Sequence, residues 1–93
     1  MKTAFVTGGS RGIGSAIALA LGKTFHVVVG FANSEDKAND VVKEIVAAGG
    51  SASAVQIDIT DAESVDNAFK TIEKEYNSVD ILINNAGVTK DNI

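Results

Sequence analysis

The chain has 93 residues, a formal net charge of −4 and a hydrophobic content of 45%. This length allows one small domain, and the excess of acidic side chains argues against nucleic acid or an anionic membrane as the main partner. The absence of cysteine excludes disulfides, thiolate nucleophiles and cysteine-ligated metal sites. No apolar run approaches the ~20 residues of a membrane span. We therefore expect a globular cytoplasmic domain without a metal site.

A glycine-rich run, TGGSRGIG at positions 7–14, follows a predicted first strand at 3–6 and opens a predicted helix at 12–22. A turn of this kind directs unpaired backbone N–H groups and the positive end of a helix dipole to one point, which suits a phosphate. Gly8 suits a positive φ, Gly12 lets a pyrophosphate approach the backbone, and Gly14 lets the helix lie close to the strand. The spacing differs from the Gly-x-Gly-x-x-Gly fingerprint, so a turn that serves packing alone remains the alternative.

Strands and helices alternate along the rest of the chain. Ser34 begins the second helix, which Gly49 and Gly50 end, and the sequence Thr60-Asp61-Ala62-Glu63 has the form of a capping box for the third helix. The remaining predicted elements are strands at 26–31, 54–59 and 79–84 and a third helix that ends at Tyr76. Right-handed crossovers then predict a Rossmann-like, partial three-layer αβα sandwich with a four-stranded parallel sheet in the order 3-2-1-4.

Two side chains with catalytic potential are predicted to have no catalytic role: His26 as a structural or exposed residue and Tyr76 as a packing residue. His26 lies at a strand entrance with no carboxylate or second histidine nearby in sequence. Tyr76 ends the apolar stripe of the third helix, and no neighbouring group is placed to activate it. The spacing brings no serine close to His26, so a hydrolytic site is not expected.

Three motifs, taken together and in order, resemble those of the classical short-chain dehydrogenases/reductases. They are the glycine run at 7–14, Asp58 at the end of the third strand, and Asn84-Asn85-Ala86-Gly87 after the fourth strand. With the runs VDIL at 79–82 and VTKDN at 88–92, all 93 residues resemble the N-terminal part of the bacterial 3-oxoacyl-acyl-carrier-protein reductases of fatty acid biosynthesis.

This resemblance implies a nucleotide-binding half-domain for a nicotinamide cofactor over residues 1–93. Residues of the glycine run would line the phosphates and the adenosine ribose, Asp58 and Ile59 would contact the adenine, and residues 85–87 would flank the nicotinamide-side ribose. Asn84 would tie the central strands together. The implied cofactor-binding residues are Gly8, Ser10, Arg11, Gly12, Ile13, Gly14, Asn33, Ser34, Asp58, Ile59, Asn85, Ala86 and Gly87. The alternatives are a solvated carboxylate ahead of a helix cap for Asp58 and a polar turn for Asn84 and Asn85.

The cofactor preference follows from charge. NAD sites place Asp or Glu roughly 20 residues beyond the glycines, where it accepts from the ribose 2′-OH. Residues 31–34 carry no carboxylate. Arg11 offers a positively charged guanidinium with several N–H donors, which suits a 2′-phosphate. Glu35 and Asp36 follow, but they belong to the first turn of the second helix. NADP is therefore predicted in preference to NAD.

The family's catalytic Asn, Ser and Tyr-x-x-x-Lys pair have no counterpart in residues 1–93, since Tyr76 is followed four positions later by Asp80. We therefore expect no catalytic residue here and no family reaction by this chain alone. An open fourth strand predicts a homodimer through residues 79–84, the third helix, or both. Three functions stay open: an NADP-binding half-domain, the cofactor part of a two-piece reductase of 3-oxoacyl thioesters, and a remnant or engineered fragment without cofactor function.

Overall fold

The computed structural model describes residues 1–10 and 12–86. The elements are β1 (Thr3–Thr7), α1 (Gly12–Leu21), β2 (His26–Phe31), α2 (Glu35–Ala47), β3 (Ser51–Gln56), α3 (Ala62–Tyr76) and β4 (Ile81–Asn84). Every strand pair is parallel and the strand order is β3-β2-β1-β4. The predicted sheet topology is confirmed.

Each face of the sheet carries a separate apolar core. On one face, α1 and α2 cover Val6, Val27 and Val29, with Ile45 at the centre of the contact. On the other face, α3 covers Phe5 and its neighbours. Because successive strand residues point to opposite faces, β1 and β2 are buried along their whole length. The result is the predicted three-layer arrangement, in which no described helix is long and apolar enough to cross a membrane.

The third strand begins and ends three residues earlier than predicted. It covers Ser51–Gln56 rather than 54–59, and its register with β2 places Ser51 opposite His26 and Gln56 opposite Phe31. Alternating serine and alanine have weak strand propensity, so pairing with β2 decides the position of this strand.

The starting points of α3 and β4 also differ from the prediction. Asp61, rather than Thr60, caps α3, and its carboxylate accepts from the Glu63 N–H at 3.0 Å. The fourth strand begins at Ile81 rather than at residue 79. The preceding Asp80 carboxylate accepts from the buried Thr3 N–H at 2.8 Å, which ties the entry of β4 to the start of β1.

His26 lies in a hydrogen-bonded cluster at the amino-terminal end of β2, which is the end of the sheet opposite to the glycine turn. Its Nδ1 is 2.6 Å from Ser51 Oγ and its Nε2 is 3.1 Å from Ser53 Oγ, to which the Tyr76 hydroxyl donates at 3.2 Å. The Tyr76 and His26 rings also pack against each other, with centroids 4.2 Å apart and ring planes tilted by 32°. The expectation that no serine approaches His26 is therefore wrong, because the β2–β3 register brings both serines to it. Within the described residues no carboxylate hydrogen-bonds the imidazole, so the orienting acid of a hydrolytic triad is missing there.

We expect the buried imidazole of His26 to make the fold less stable in acid. Burial lowers the pKa of His26 below the usual 6.5, and the charge of Glu75 only partly opposes this. The unfolded chain then binds the proton more readily, so the contribution of His26 to stability is complete above pH 6.5 and is lost as pH falls through the lower folded-state pKa. Urea unfolding between neutral and mildly acidic pH measures this slope. His26→Gln should flatten it, and an equal slope in that variant would assign the effect to carboxylates.

Candidate cofactor-binding site

The glycine turn lies at the carboxyl end of β1, over the start of α1. Gly8 and Gly12 have φ values of 65° and 63°, which glycine adopts at little cost. A Cβ at Gly12 would meet nothing within 4 Å, so the backbone at the N-terminus of α1 faces open space. A Cβ at Gly14 would instead overlap the Gly8 carbonyl oxygen and lie 2.7 Å from Asn85 Nδ2. Gly14 thus permits close packing, as predicted, but against the turn and Asn85 rather than against β1.

A hydrogen-bond network joins the glycine turn to the end of β4. The Asn85 side-chain amide donates to the Gly8 carbonyl at 3.2 Å, and the Ala86 N–H donates to Thr7 Oγ1 at 3.2 Å. The Thr7 hydroxyl in turn lies 3.2 Å from Asn84 Oδ1. These bonds hold the carboxyl ends of β1 and β4 side by side. The contact between Asn84 and Thr7 agrees with the expectation that Asn84 ties the central strands together.

A cavity of about 240 Å³ adjoins the turn, between the carboxyl ends of β2 and β3. Phe31 and Ile57 contribute its most buried apolar side chains. Seven predicted binding residues also line it: Gly8, Ser10, Asn33, Ser34, Asp58, Ile59 and Ala86. Ile13 lies outside the cavity with a 75% exposed side chain, whereas Arg11 and Gly87 fall outside the described residues.

One other concave region also touches the glycine turn: a groove of about 260 Å³ lined by Ser10, Gly12 and side chains of α1 and α2. The largest regions, about 430 Å³ and 400 Å³, flank the outer part of β3 on its α2 and α3 sides. Both are open, mainly polar grooves. We assign the candidate site to the 240 Å³ cavity because residues at the carboxyl ends of all four strands line it.

Asp58 at the rim of the cavity is held in place by its own loop. Its Oδ1 accepts from the Thr60 hydroxyl at 2.6 Å and from the Thr60 N–H at 3.0 Å, while its N–H donates to Ser64 Oγ at 2.9 Å. Both hydrogen bonds from Thr60 lower the pKa of Asp58 because they stabilise the ionised carboxylate. The hydroxyl has the larger effect and the backbone N–H the smaller one. The second carboxylate oxygen makes no hydrogen bond within the described residues, so it is available to a ligand donor.

Two residues that support this site are not among those predicted from the sequence. The sequence predicts Thr60 as a helix cap, although a threonine two positions after an aspartate is itself a signal for this local hydrogen bond. Gln56 donates from its side-chain amide to the Ala32 carbonyl at 3.1 Å and so tethers the loop after β2. No local sequence pattern predicts that contact, because the two residues meet only through the pairing of β2 with β3.

The strand order reverses between β1 and β4, and the glycine turn follows β1 at this point. The cavity reaches it through Gly8, which follows β1, and Ala86, which follows β4. Open parallel sheets bind ligands at this crevice, with phosphates at the adjoining helix N-terminus. The fold is therefore that of the Rossmann-like α/β domains.

Comparison with known proteins gives the family. The profile described as short chain dehydrogenase matches residues 2–93, and the chain belongs to this family. A 3-oxoacyl-[acyl-carrier-protein] reductase from Synechocystis is 48% identical over 99% of this chain and 38% of that protein. The reductase FabG from Staphylococcus epidermidis is 46% identical with the same coverage. The chain thus spans about 38% of the length of these curated relatives.

Solved structures agree with this assignment. A dehydrogenase/reductase from Sinorhizobium meliloti superposes with a TM-score of 0.85 at 39% identity, covering 98% of this chain and 40% of that one. A metagenomic short-chain oxidoreductase, solved in complex with NADP, superposes with a TM-score of 0.88 at 39% identity, covering 94% of this chain and 39% of that one.

Proposed function

We propose that residues 1–93 form the NADP(H)-binding half of a short-chain dehydrogenase/reductase domain. The observation that carries this proposal is the cavity at the carboxyl ends of the strands, which is lined by Gly8 and Ser10 of the glycine turn and by Asp58. The solved relative in complex with NADP and the reductases related in sequence support it.

The residues present fit such a cofactor. The N–H groups at the start of α1 would hold the pyrophosphate, and a side chain at Gly12 would enter the open space at this helix N-terminus. The free oxygen of Asp58 would accept from the adenine amino group, beside the apolar side chain of Ile59. Residues 85–87 would flank the nicotinamide-side ribose. When bound, NADPH would supply a hydride, and the residues of this chain would bind and orient the cofactor.

The preference for NADP rests on the rim formed by residues 31–34. Phe31, Ala32, Asn33 and Ser34 all line the cavity, and none of them carries a charge that would repel a 2′-phosphate. Arg11 lies in the glycine run and supplies the cation that such a phosphate requires.

Calorimetric titration with NADPH and separately with NADH tests this proposal. We expect saturable binding that favours NADPH, and we expect Arg11→Ala to weaken NADPH binding about tenfold while leaving NADH binding nearly unchanged, because a charge-assisted contact to the phosphate is lost. Lys43→Ala, which removes a charge from an exposed position of α2 away from the cavity, is the matched control. Equal affinities for the two cofactors would contradict the assigned preference. No binding by the folded chain would favour the third hypothesis, in which the turn serves packing alone.

We further propose that two copies of the chain pair along β4. Within the described residues, β4 pairs only with β1, and Leu82 on this strand is 49% exposed. An unpaired edge with an apolar side chain is a template for another strand. Light scattering in the titration buffer gives the mass, and the mass of a single chain at micromolar concentration would overturn this proposal.

A second candidate is the cofactor part of a two-piece oxidoreductase that reduces 3-oxoacyl thioesters. The names of the curated relatives, together with the 38% of their length that the chain spans, favour it. The catalytic Tyr-x-x-x-Lys pair would then come from further polypeptide. NADPH oxidation with an acetoacetyl thioester that requires both pieces would support this candidate, and inactivity of the mixture would count against it.

A further inference from the structure

We propose that Asn33 is a site of spontaneous deamidation, and that the carboxylate formed there turns the cofactor preference from NADP towards NAD. This inference rests on the proposed function, since it concerns the rim of the same cavity. It names a covalent modification that changes which cofactor the site accepts.

The surroundings of Asn33 favour the chemistry. Asn33 is exposed, lies in the bend between β2 and α2, and is followed by Ser34, a small residue that leaves room for ring closure. The Ser34 N–H donates to no acceptor within residues 1–10 and 12–86, so its nitrogen is available. Asn39 and Asn67 instead lie inside α2 and α3, where the helix holds the backbone away from the geometry of ring closure.

The reaction needs only water. The Ser34 backbone nitrogen loses its proton to solvent and attacks Cγ of Asn33, which forms a new N–Cγ bond. The bond from Cγ to the side-chain nitrogen breaks, and ammonia leaves with a proton from solvent. Water then opens the five-membered succinimide at either carbonyl and gives aspartate or isoaspartate at position 33. No group is oxidised or reduced.

The position of Asn33 determines the consequence. It lines the cavity together with Ser34 and Ser10, at the end of the second strand, where NAD-binding sites place their acidic residue. A carboxylate there repels a 2′-phosphate, which carries close to two negative charges, and accepts a hydrogen bond from a ribose 2′-OH. The new charge precedes Ser34, the N-cap of α2, and a negative charge is favourable near a helix N-terminus. In the aspartate product, whose backbone is unchanged, the fold is therefore retained while the site changes.

A second Asn-Ser pair provides a control within the same chain. Asn77 is exposed and is followed by Ser78, but it lies at the C-terminal end of α3 and does not line the cavity. Deamidation of Asn77 adds the same charge to the protein. It should leave the preference between the cofactors unchanged.

The experiment ages the purified chain in mildly alkaline buffer and follows both asparagines by peptide mass spectrometry. Fresh and aged samples are titrated with NADPH and NADH, together with fresh Asn33→Asp, Asn33→Gln and Asn77→Asp. We expect conversion at Asn33 on ageing, and in Asn33→Asp a loss of NADPH affinity of about tenfold or more with NADH affinity kept or raised. Asn33→Gln, whose longer amide closes the ring far more slowly, should show the same ratio of NADPH to NADH affinity before and after ageing. Asn77→Asp should bind as the unmodified chain does.

The outcomes separate this inference from the proposed function. An intact Asn33 in aged protein would overturn the modification site. An unchanged ratio of NADPH to NADH affinity in Asn33→Asp would overturn the effect on preference. Failure of the fresh, folded chain to bind either cofactor would overturn the proposed function and with it the effect on preference, while mass spectrometry would still decide the modification.

Discussion

Gly14→Val is expected to destabilise the fold by about 3 kcal/mol or more and to abolish cofactor binding. The added Cβ would overlap the Gly8 carbonyl and lie 2.9 Å from the Gly8 carbonyl carbon, so the start of α1 could no longer rest on the turn. Backbone atoms cannot rotate away as a flexible side chain can. Urea unfolding and NADPH titration of the same variant measure the two effects, and an unchanged unfolding midpoint would contradict the packing described here.

Two other glycines separate stability from binding. Gly12→Val should cost only about 1–2 kcal/mol, through its positive φ, yet should still abolish NADPH binding because the new side chain enters the space over the helix N-terminus. Gly49→Val carries the same kind of strain, at a φ of 91° and in open space, but on the loop after α2. It should lose similar stability and retain binding. Equal binding by both variants would show that no phosphate approaches Gly12.

Phe5→Ala should lower the free energy of unfolding by about 3–5 kcal/mol, a large share of the ~5–15 kcal/mol that a domain has. The Phe5 ring is fully buried at the centre of the α3 face and meets Phe69 edge to face, with centroids 5.4 Å apart. Gly30 makes room for it, since a Cβ there would lie 2.9 Å from the Phe5 ring.

Chemical denaturation compares this variant with Val46→Ala, which removes a 53% exposed side chain from α2. The Val46 variant should stay within about 0.5 kcal/mol of the parent chain. A Phe5→Ala variant as stable as the Val46 variant would mean that the α3 face is not a close-packed core.

The helices and the two central strands were predictable because their signals are local. α2 and α3 carry apolar residues at steps of three and four, and β1 and β2 are apolar on both sides, as strands buried on both faces must be. The glycine turn was predictable for the same reason, since a short run of residues specifies both its conformation and the start of α1. The candidate binding residues followed from motifs in their expected elements.

The position of β3 was not predictable in this way. Ser51 and Ser53 belong to a strand because their backbone pairs with β2, and the same register places them against His26, 25 and 27 positions away in sequence. The bond from Asn85 to the Gly8 carbonyl joins residues 77 positions apart. Hydrophobic periodicity carries no information on such contacts.

The sequence by itself thus determined the order of the elements and the parallel topology, since propensity, periodicity and turn chemistry act over a few residues. The residues proposed to bind the cofactor came from the resemblance of its motifs to those of the short-chain dehydrogenases/reductases. Only the tertiary structure decided the register of β3, the serines around His26, the tether from Gln56 to Ala32, and the packing of Gly14 against Gly8 and Asn85. Those features arise when strands distant in sequence are brought into contact, and their positions depend on how the whole sheet pairs.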